Sequence, residues 1–297
     1  MKILVTGSNG FVGSHVVAAL LKEGHEVFAS SRTGDASSFN KQYPTYRFIQ
    51  VDFTDPFSLH DAFEFVQPEV VVHCGAMSKP DECELNQADA YDVNVYGTLQ
   101  LLLNAETYQS FFVHLSTDFI FDGEKGMYTE DDPANPISYY GRTKKEAEDA
   151  VAEYKFDKAI VRTSFVYGKP LYGRDSFIGL IAKKLKNNEP FKVVNDQQRT
   201  PTHGEDLAKG IRTIINKRAC GVYNLAGKDL LTPYEMALAT AAYLNISAHQ
   251  LTPVTRATFQ EKALRPLNGG LNIAKAQREL DYHPMSFAEG LEKTLAE

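Results

Sequence analysis

Residues 3–13 read ILVTGSNGFVG: a short apolar run at 3–6 breaks into Gly7-Ser8-Asn9-Gly10-Phe11-Val12-Gly13, and a stretch with apolar residues along one side, 11–23, begins at once. The pattern predicts a strand, a tight turn and a helix. Glycines at these three positions allow the turn itself, close approach of a pyrophosphate to backbone, and close packing of helix on strand. The new helix then offers unpaired N–H groups and the positive end of its dipole to an anion. Three glycines alone could form a plain turn. Their place after the first strand, opening a helix in a βαβ unit, predicts a dinucleotide site. The spacing is G-x-x-G-x-x-G rather than G-x-G-x-x-G.

Outward from this loop, strand-like and helix-like stretches alternate. Strands are expected at 26–30, 47–51, 111–115 and 159–161, and at 70–73, where a nearly continuous apolar run suggests burial on both faces. Helices are expected at 88–105 and 138–154. This rhythm predicts an α/β fold, a Rossmann-like doubly wound parallel sheet with helices on both faces. After about residue 166 the rhythm breaks. A helix at 175–186, a strand at 191–194, a helix from Gly204, a strand at 222–225 and a helix after Pro233 lie among Pro, Gly and polar turns. They suggest a smaller C-terminal α/β lobe. The expected division is 1–165 for the NAD(P)-binding domain and 166–297 for the lobe, interleaved with the first domain near its end.

Composition narrows the partners. Apolar residues make up 43% and charged residues 23% of 297, as in an ordinary globular protein. The longest purely apolar run, residues 16–21, is far short of the roughly 20 residues that cross a bilayer. A net charge of −7 argues against nucleic acid or an anionic membrane as the main partner. Cys74, Cys83 and Cys220 are odd in number and fit no zinc spacing, and the eight histidines form no H-x-x-x-H pair. No export signal is evident at the amino terminus. The expectation is a reduced, metal-free cytoplasmic protein.

The end of the second strand bears on the cofactor. A site selective for NAD places Asp or Glu there to bind the ribose 2′-hydroxyl. This chain has Ala29-Ser30-Ser31-Arg32. Hydroxyls and a guanidinium favour a 2′-phosphate, so NADP(H) is the preferred cofactor and NAD(H) the second choice. Asp52-Phe53, ending the third strand, are placed to meet the adenine amine and ring.

The candidate catalytic group stands at the end of the fifth strand, Leu115-Ser116-Thr117-Asp118-Phe119, with Tyr140-Gly141-Arg142-Thr143-Lys144 beyond it. On a helix Tyr140 and Lys144 lie one turn apart on one face. An ammonium there is expected to lower the phenol pKa and to reach the nicotinamide ribose. Thr117 would complete the cradle for a carbonyl oxygen, and Tyr140 would give its proton as general acid. Tyr139 has Thr143 at the fourth place, so Tyr140 is the candidate.

With these motifs, the chain resembles the extended short-chain dehydrogenase/reductases, and among them the dTDP-4-dehydrorhamnose reductase family. The resemblance rests on GSNGFVG, VVHCGAMSKPDECE with NVYGT, STDFIFDG, YYGRTK, VRTSFVYG, NDQQRTPTHGEDLA, GVYNLAG and RPLNGGLN, spread from Ile3 to about Asn272. It implies a nicotinamide-dependent reductase of the 4-keto group of a nucleotide-linked deoxysugar, with Thr117, Tyr140 and Lys144 as the catalytic triad. It carries cofactor contacts onto the glycine loop, Asp52, Phe53, Cys74, Gly75, Ala76, Ser78 and Asn94. Thr117, Asp118, Tyr140 and Arg199 become the substrate-side residues, and a homodimer the candidate assembly. Two departures stand out: Cys74 replaces a small apolar residue, and Phe165 replaces a tryptophan. QQRTPTH also resembles the regulatory β subunit of methionine adenosyltransferase.

Two other readings stay open. A sugar-nucleotide epimerase or 4,6-dehydratase shares the superfamily, but dehydratases follow Thr-Asp with a Glu that abstracts a proton, and here Phe119 follows. A non-catalytic NADP-binding regulatory subunit could retain the same residues.

Overall fold

The computed structural model describes residues 1–173, 175–259 and 261–296. Along the chain, β1 (Lys2–Thr6), α1 (Phe11–Lys22), β2 (Glu26–Ser31) and β3 (Tyr46–Gln50) are followed by α2 (Pro56–Val66) and β4 (Val70–His73). Two short helices, α3 (Pro80–Leu85) and α4 (Gln87–Tyr91), lead into α5 (Gly97–Thr107). Then come β5 (Phe111–Thr117), α6 (Tyr139–Ala152) and β6 (Lys158–Thr163). The remainder contains β7 (Val166–Tyr167), α7 (Phe177–Lys186), β8 (Phe191–Val194), β9 (Thr202–His203), α8 (Gly204–Lys217) and β10 (Gly221–Asn224). It closes with α9 (Pro233–Tyr243), β11 (Leu251–Val254), α10 (Arg256–Phe259), α11 (Ala274–Leu280) and α12 (Phe287–Leu295).

Strand side chains alternate between faces, and here both faces are apolar. Ile3, Val5, Val70, Val72, Phe111, Val113, Ala159 and Val161 enter one layer, against α1, α8 and α11. Leu4, Val71, Phe112 and Ile160 enter the other, against α2, α5 and α6. Burying one such large side chain contributes about 1.5–3 kcal/mol, so a sheet covered twice is favoured over a slip that exposes a face. The seven strands run in the order β3-β2-β1-β4-β5-β6-β10, every pair parallel. This is the doubly wound sheet expected from the alternation of elements. Its strand order reverses between β1 and β4, and the crevice beyond the strands' carboxyl ends at that point is where such folds hold ligands.

The edge strand β10 and the covering helix α8 both come from beyond residue 165. The rest of the C-terminal part has cores of its own. Ile181, Leu185, Val193, Ala237, Ala241 and Leu251 pack α7 and α9 against the parallel pair β8 and β11.

One predicted element needs correction. The helix expected at 88–105 is a shorter α4, one π-helical turn at Asp92–Tyr96, and α5. The π turn carries Asn94, whose amide is held away from the helix, at Met77 and Thr143. Such turns appear mostly as single insertions, frequently at functional sites.

Candidate active site

The glycine loop leaves no room for side chains. A Cβ on Gly7, whose φ is +70°, would stand 2.6 Å from the Gly75 nitrogen. One on Gly13 would lie 2.2 Å from the Gly7 carbonyl oxygen. Helix and turn are therefore packed backbone to backbone. Gly10 caps α1 without a side-chain hydrogen bond, and the first turn holds no acid. The helix dipole and its first N–H groups thus meet no side-chain anion of their own, as a pyrophosphate site requires. The Phe11 ring packs on His15 and Val12 lies against the sheet core. Ser8 donates to the Ser30 carbonyl from both N and Oγ, at 3.0 and 3.1 Å. These features fit a dinucleotide.

At the far end, Asn9 organises the segment after β2. Its amide Nδ2 donates to Ser31 Oγ at 2.9 Å, Thr33 Oγ1 at 3.1 Å and the Gly34 carbonyl at 2.8 Å. Arg32 is exposed. The next carboxylate, Asp35, accepts from Tyr46 and from the Ser37 N–H, so it is turned toward its own loop. Asp52 accepts from the N–H and hydroxyl of Thr54 at 3.0 and 2.7 Å. The Phe53 ring is wedged between Gly75 and Gly97, where added Cβ atoms would come within 2.5 and 2.6 Å of it, and it meets His73 edge-on at 5.2 Å.

After β4, Ala76 and Ser78 are exposed while Gly75 is buried. Burial pushes the Cys74 thiol up to about 12, with the Lys144 charge opposing, so it stays a thiol and gives no nucleophile. Asn94 accepts from the Met77 N–H at 2.8 Å and donates to the Met77 carbonyl and Thr143 Oγ1, each at 3.0 Å. Its whole amide ties the loop after β4 to α6.

β5 carries Thr117 at its carboxyl end, two residues farther than the predicted strand. Ser138 caps α6, accepting from the Gly141 N–H, and Glu84 of α3 accepts from the Tyr139 N–H at 3.0 Å. Tyr140 is thereby fixed in the helix's first turn. It is 9% exposed, edge-on to Phe119 at 5.5 Å, with the Thr117 hydroxyl facing its phenol. Tyr139 is only half-buried.

The expected electrostatics need correction. Lys144 was to depress the Tyr140 phenol; instead burial raises that phenol well above its ordinary value, the facing Thr117 hydroxyl offsets only part of this, and the Asp118 charge adds to it. The Lys144 ammonium lies on β5, donating to the Leu115 carbonyl at 2.8 Å and to His114 Nε2 at 3.0 Å. Desolvation outweighs the helical neighbour. It also brings Lys144 down to about 8, against the pull of Glu148 and Cys74. At neutral pH the phenol is protonated, and the amine one helical turn farther on is largely charged.

Of the residues expected on the substrate side, Asp118 is buried, accepting from Ser164 Oγ at 2.6 Å and Thr117 Oγ1 at 3.2 Å. Arg199 is also buried. It donates to the Gln198 and Pro266 carbonyls at 2.6 and 2.9 Å and to Gln197 Oε1 at 3.2 Å, with its plane over Phe119. The structure makes Arg199 part of the wall behind Phe119. Ser164, Glu84 and His114 escaped the sequence reading. Only His114 had a visible signal: the apolar runs of β4 and β5 both meet a histidine, His73 and His114, in register.

The family description "RmlD substrate binding domain" matches residues 1–297. The methionine adenosyltransferase 2 subunit beta of Rattus norvegicus is 31% identical over 282 residues, 93% of this chain and 81% of that one. A dTDP-4-dehydrorhamnose reductase from Clostridium acetobutylicum ATCC 824 superposes with a TM-score of 0.87 at 28% identity, over 99% of this chain and 98% of that one. That of Bacillus anthracis str. Ames, solved in complex with NADP, gives 0.86 at 27% identity, over 99% of each chain. Among the described residues no helix is long and apolar enough to cross a membrane. With its glycine loop, its Thr-Tyr-Lys group and a family match from residue 1 to 297, the chain belongs to the RmlD substrate-binding-domain family.

Proposed function

We propose that this chain is an NADPH-dependent oxidoreductase that reduces the 4-keto group of a nucleotide-linked deoxysugar, as its reductase relatives are named for doing. The observation that carries the reading is Tyr140, buried and protonated, facing Thr117, with Lys144 one turn farther along the same helix and its ammonium held on β5. The glycine loop, Ser31, Arg32, Asp52, Phe53 and the 74–78 loop would hold the dinucleotide, whose nicotinamide supplies the hydride. Thr117 orients the ketone oxygen, and Tyr140 gives it a proton. Lys144 stabilises the tyrosinate left behind and returns the charge balance. Asn94 holds α6 and the loop after β4 in one piece, and Phe119 closes the site without a base that could abstract a sugar proton.

The test is a purified-protein assay with a panel of 4-keto nucleotide sugars and both reduced cofactors. NADPH consumption matched by reduced sugar supports the reading. Cofactor binding without consumption favours a non-catalytic subunit, a second reading supported by 31% identity to the methionine adenosyltransferase subunit. Formation of a 4-keto-6-deoxy product from a nucleotide-linked glucose would instead make it a dehydratase.

Cofactor preference is tested separately. A charged guanidinium–phosphate hydrogen bond is worth about 1.5–3 kcal/mol, roughly a 10- to 150-fold preference for NADPH over NADH. Ser31→Asp places a carboxylate against the 2′-phosphate and is expected to erase or reverse that ratio. Equal dissociation constants in the unmodified protein would sink the assignment of Ser31 and Arg32.

A further inference from the structure

The apolar runs of β4 and β5 each meet a histidine, and their parallel register sets His73 beside His114 with ring centroids 5.4 Å apart. Both rings are buried. His73 is satisfied on both sides. The Thr98 hydroxyl donates to the Asn94 carbonyl at 2.7 Å, so it accepts from His73 Nε2–H at 3.1 Å, and His73 Nδ1 accepts from Thr6 Oγ1 at 2.7 Å. His114 is different. Its Nε2 meets Lys144 Nζ at 3.0 Å, while its Nδ1 is buried with no partner among the described residues. An ammonium only donates, so Nε2 accepts and the ring's own proton sits on Nδ1. The fold therefore tolerates a buried N–H without an acceptor, and in return Nε2 is presented to Lys144.

A lysine ammonium has three N–H donors. The Leu115 carbonyl takes one at 2.8 Å and His114 a second, so two are fixed on β5 and one is left for the cleft. We propose that His114 is a positioning residue for Lys144, a neutral acceptor that fixes the ammonium on β5 and keeps it charged in a dry site. The inference rests on the catalytic role given to Lys144 above. A neutral acceptor suits that role better than a carboxylate, which would cancel the charge the tyrosinate needs.

The groups facing Lys144 are Glu148 from α6, Cys74 from the end of β4, and His73 and His114 from the sheet, with Tyr140 one turn earlier on α6. Glu148 is engaged by Arg162. Cys74 is held as a thiol. Burial presses both histidines well below their ordinary value, so neither competes as a cation. His114 is thus the nearest uncharged acceptor on the ammonium besides a main-chain carbonyl. A hydrogen bond to the charged form of a group favours that form, and its loss lets desolvation act further on Lys144.

The experiment is a pH titration of Lys144 by NMR in protein labelled with [13Cε]lysine, the signal assigned by its loss in Lys144→Arg. His114→Phe keeps the ring and removes the acceptor. It is expected to lower the Lys144 midpoint by about one pH unit, a tenfold change in proton affinity. His114→Gln offers an amide oxygen and is expected to restore at least half of that displacement. In turnover, His114→Phe should lower kcat with KM for the sugar unchanged, and the alkaline limb of the pH profile should move down with the NMR midpoint. An unmoved midpoint in folded His114→Phe, or a Gln variant that falls as far as the Phe variant, overturns the proposal. If His114→Phe does not fold, His114→Leu takes its place under the same criteria. If the unmodified protein reduces no keto sugar, the functional reading fails, while the NMR titration still decides the role of His114.

Discussion

Tyr140→Phe is expected to lower turnover by about 10²–10⁴-fold, the usual loss when a positioned general acid is removed. Hydride arriving at a ketone carbon puts charge on its oxygen, and a buried site has little water to neutralise it. The phenol can do so because burial holds its proton to well above neutral pH. The ring itself is packed edge-on against Phe119 and close to Cys83 and Ala90. Phe preserves that packing, so the fold and the dinucleotide contacts remain, and NADPH affinity should change little. Lys144→Ala should reduce turnover and also weaken cofactor binding, since Lys144 is assigned a ribose contact. Because Lys144 loses its proton near 8, kcat should fall as pH rises through that region while the phenol is still protonated. Tyr139→Phe serves as the control. The measurements are steady-state sugar reduction and NADPH titration on the three variants. Retention of more than about a tenth of turnover in Tyr140→Phe, with hydride transfer rate-limiting, would end the general-acid assignment.

What the sequence disclosed depended on whether the signal was local. β4 was legible because VVVH is buried on both faces and so reads as an unbroken apolar run. The glycine loop was legible because a Cβ at Gly7 or Gly13 would stand 2.2–2.6 Å from neighbouring backbone, and the sequence must show glycine there. Tyr140 and Lys144 were legible as a pair because helical spacing is a local rule. Their electrostatics were not. Spacing brings charge and phenol to one helix face, but whether charge or desolvation dominates depends on β5 and on the loop after β4, far away in sequence. α2 went unread although Asp55 caps it and Pro56 opens it. There the turn residues stood in front of a helix rather than in a loop. β7 and β9 have two residues each, too few for any periodicity to register. The π turn at Asp92–Tyr96 is fixed by Asn94 reaching Met77 and Thr143, a tertiary requirement that no window of residues around it reveals. Arg199 shows the same limit. It entered through the family resemblance, and only the tertiary structure shows its guanidinium held by three carbonyl-type acceptors of its own lobe.

A buried ion pair ties α6 to the sheet, and breaking it should cost about 3–5 kcal/mol of stability, the usual penalty for stranding one member of such a pair. Arg162 on β6 is 8% exposed at its side chain and Glu148 on α6 4%. The guanidinium meets the carboxylate twice, Nη2 at 2.8 Å from Oε2 and Nε at 3.0 Å from Oε1. Its Nη1 donates to the Glu130 carbonyl at 3.0 Å, and its plane lies over Phe121, 5.4 Å from the ring centre. Arg162→Met fills much of the same volume but leaves the Glu148 carboxylate without its partner in a dry layer, and the Glu130 carbonyl without its donor. Lys144, one turn before Glu148, is the cation next to hand, and any drift of its ammonium toward Glu148 would pull it off Leu115 and His114. Urea unfolding should therefore show a large fall in midpoint for Arg162→Met, and turnover should drop at urea concentrations where the protein is still folded. Arg162→Met combined with Glu148→Leu removes both charges and should regain most of the stability, because the main penalty lies in the uncompensated charge rather than in the lost attraction. If the single variant unfolds at the same urea concentration as the unmodified protein, the pair does not anchor α6. If the double variant is no more stable than the single one, the loss is one of packing around Phe121. A stable double variant that has also lost turnover would place the pair's importance in the position of Lys144.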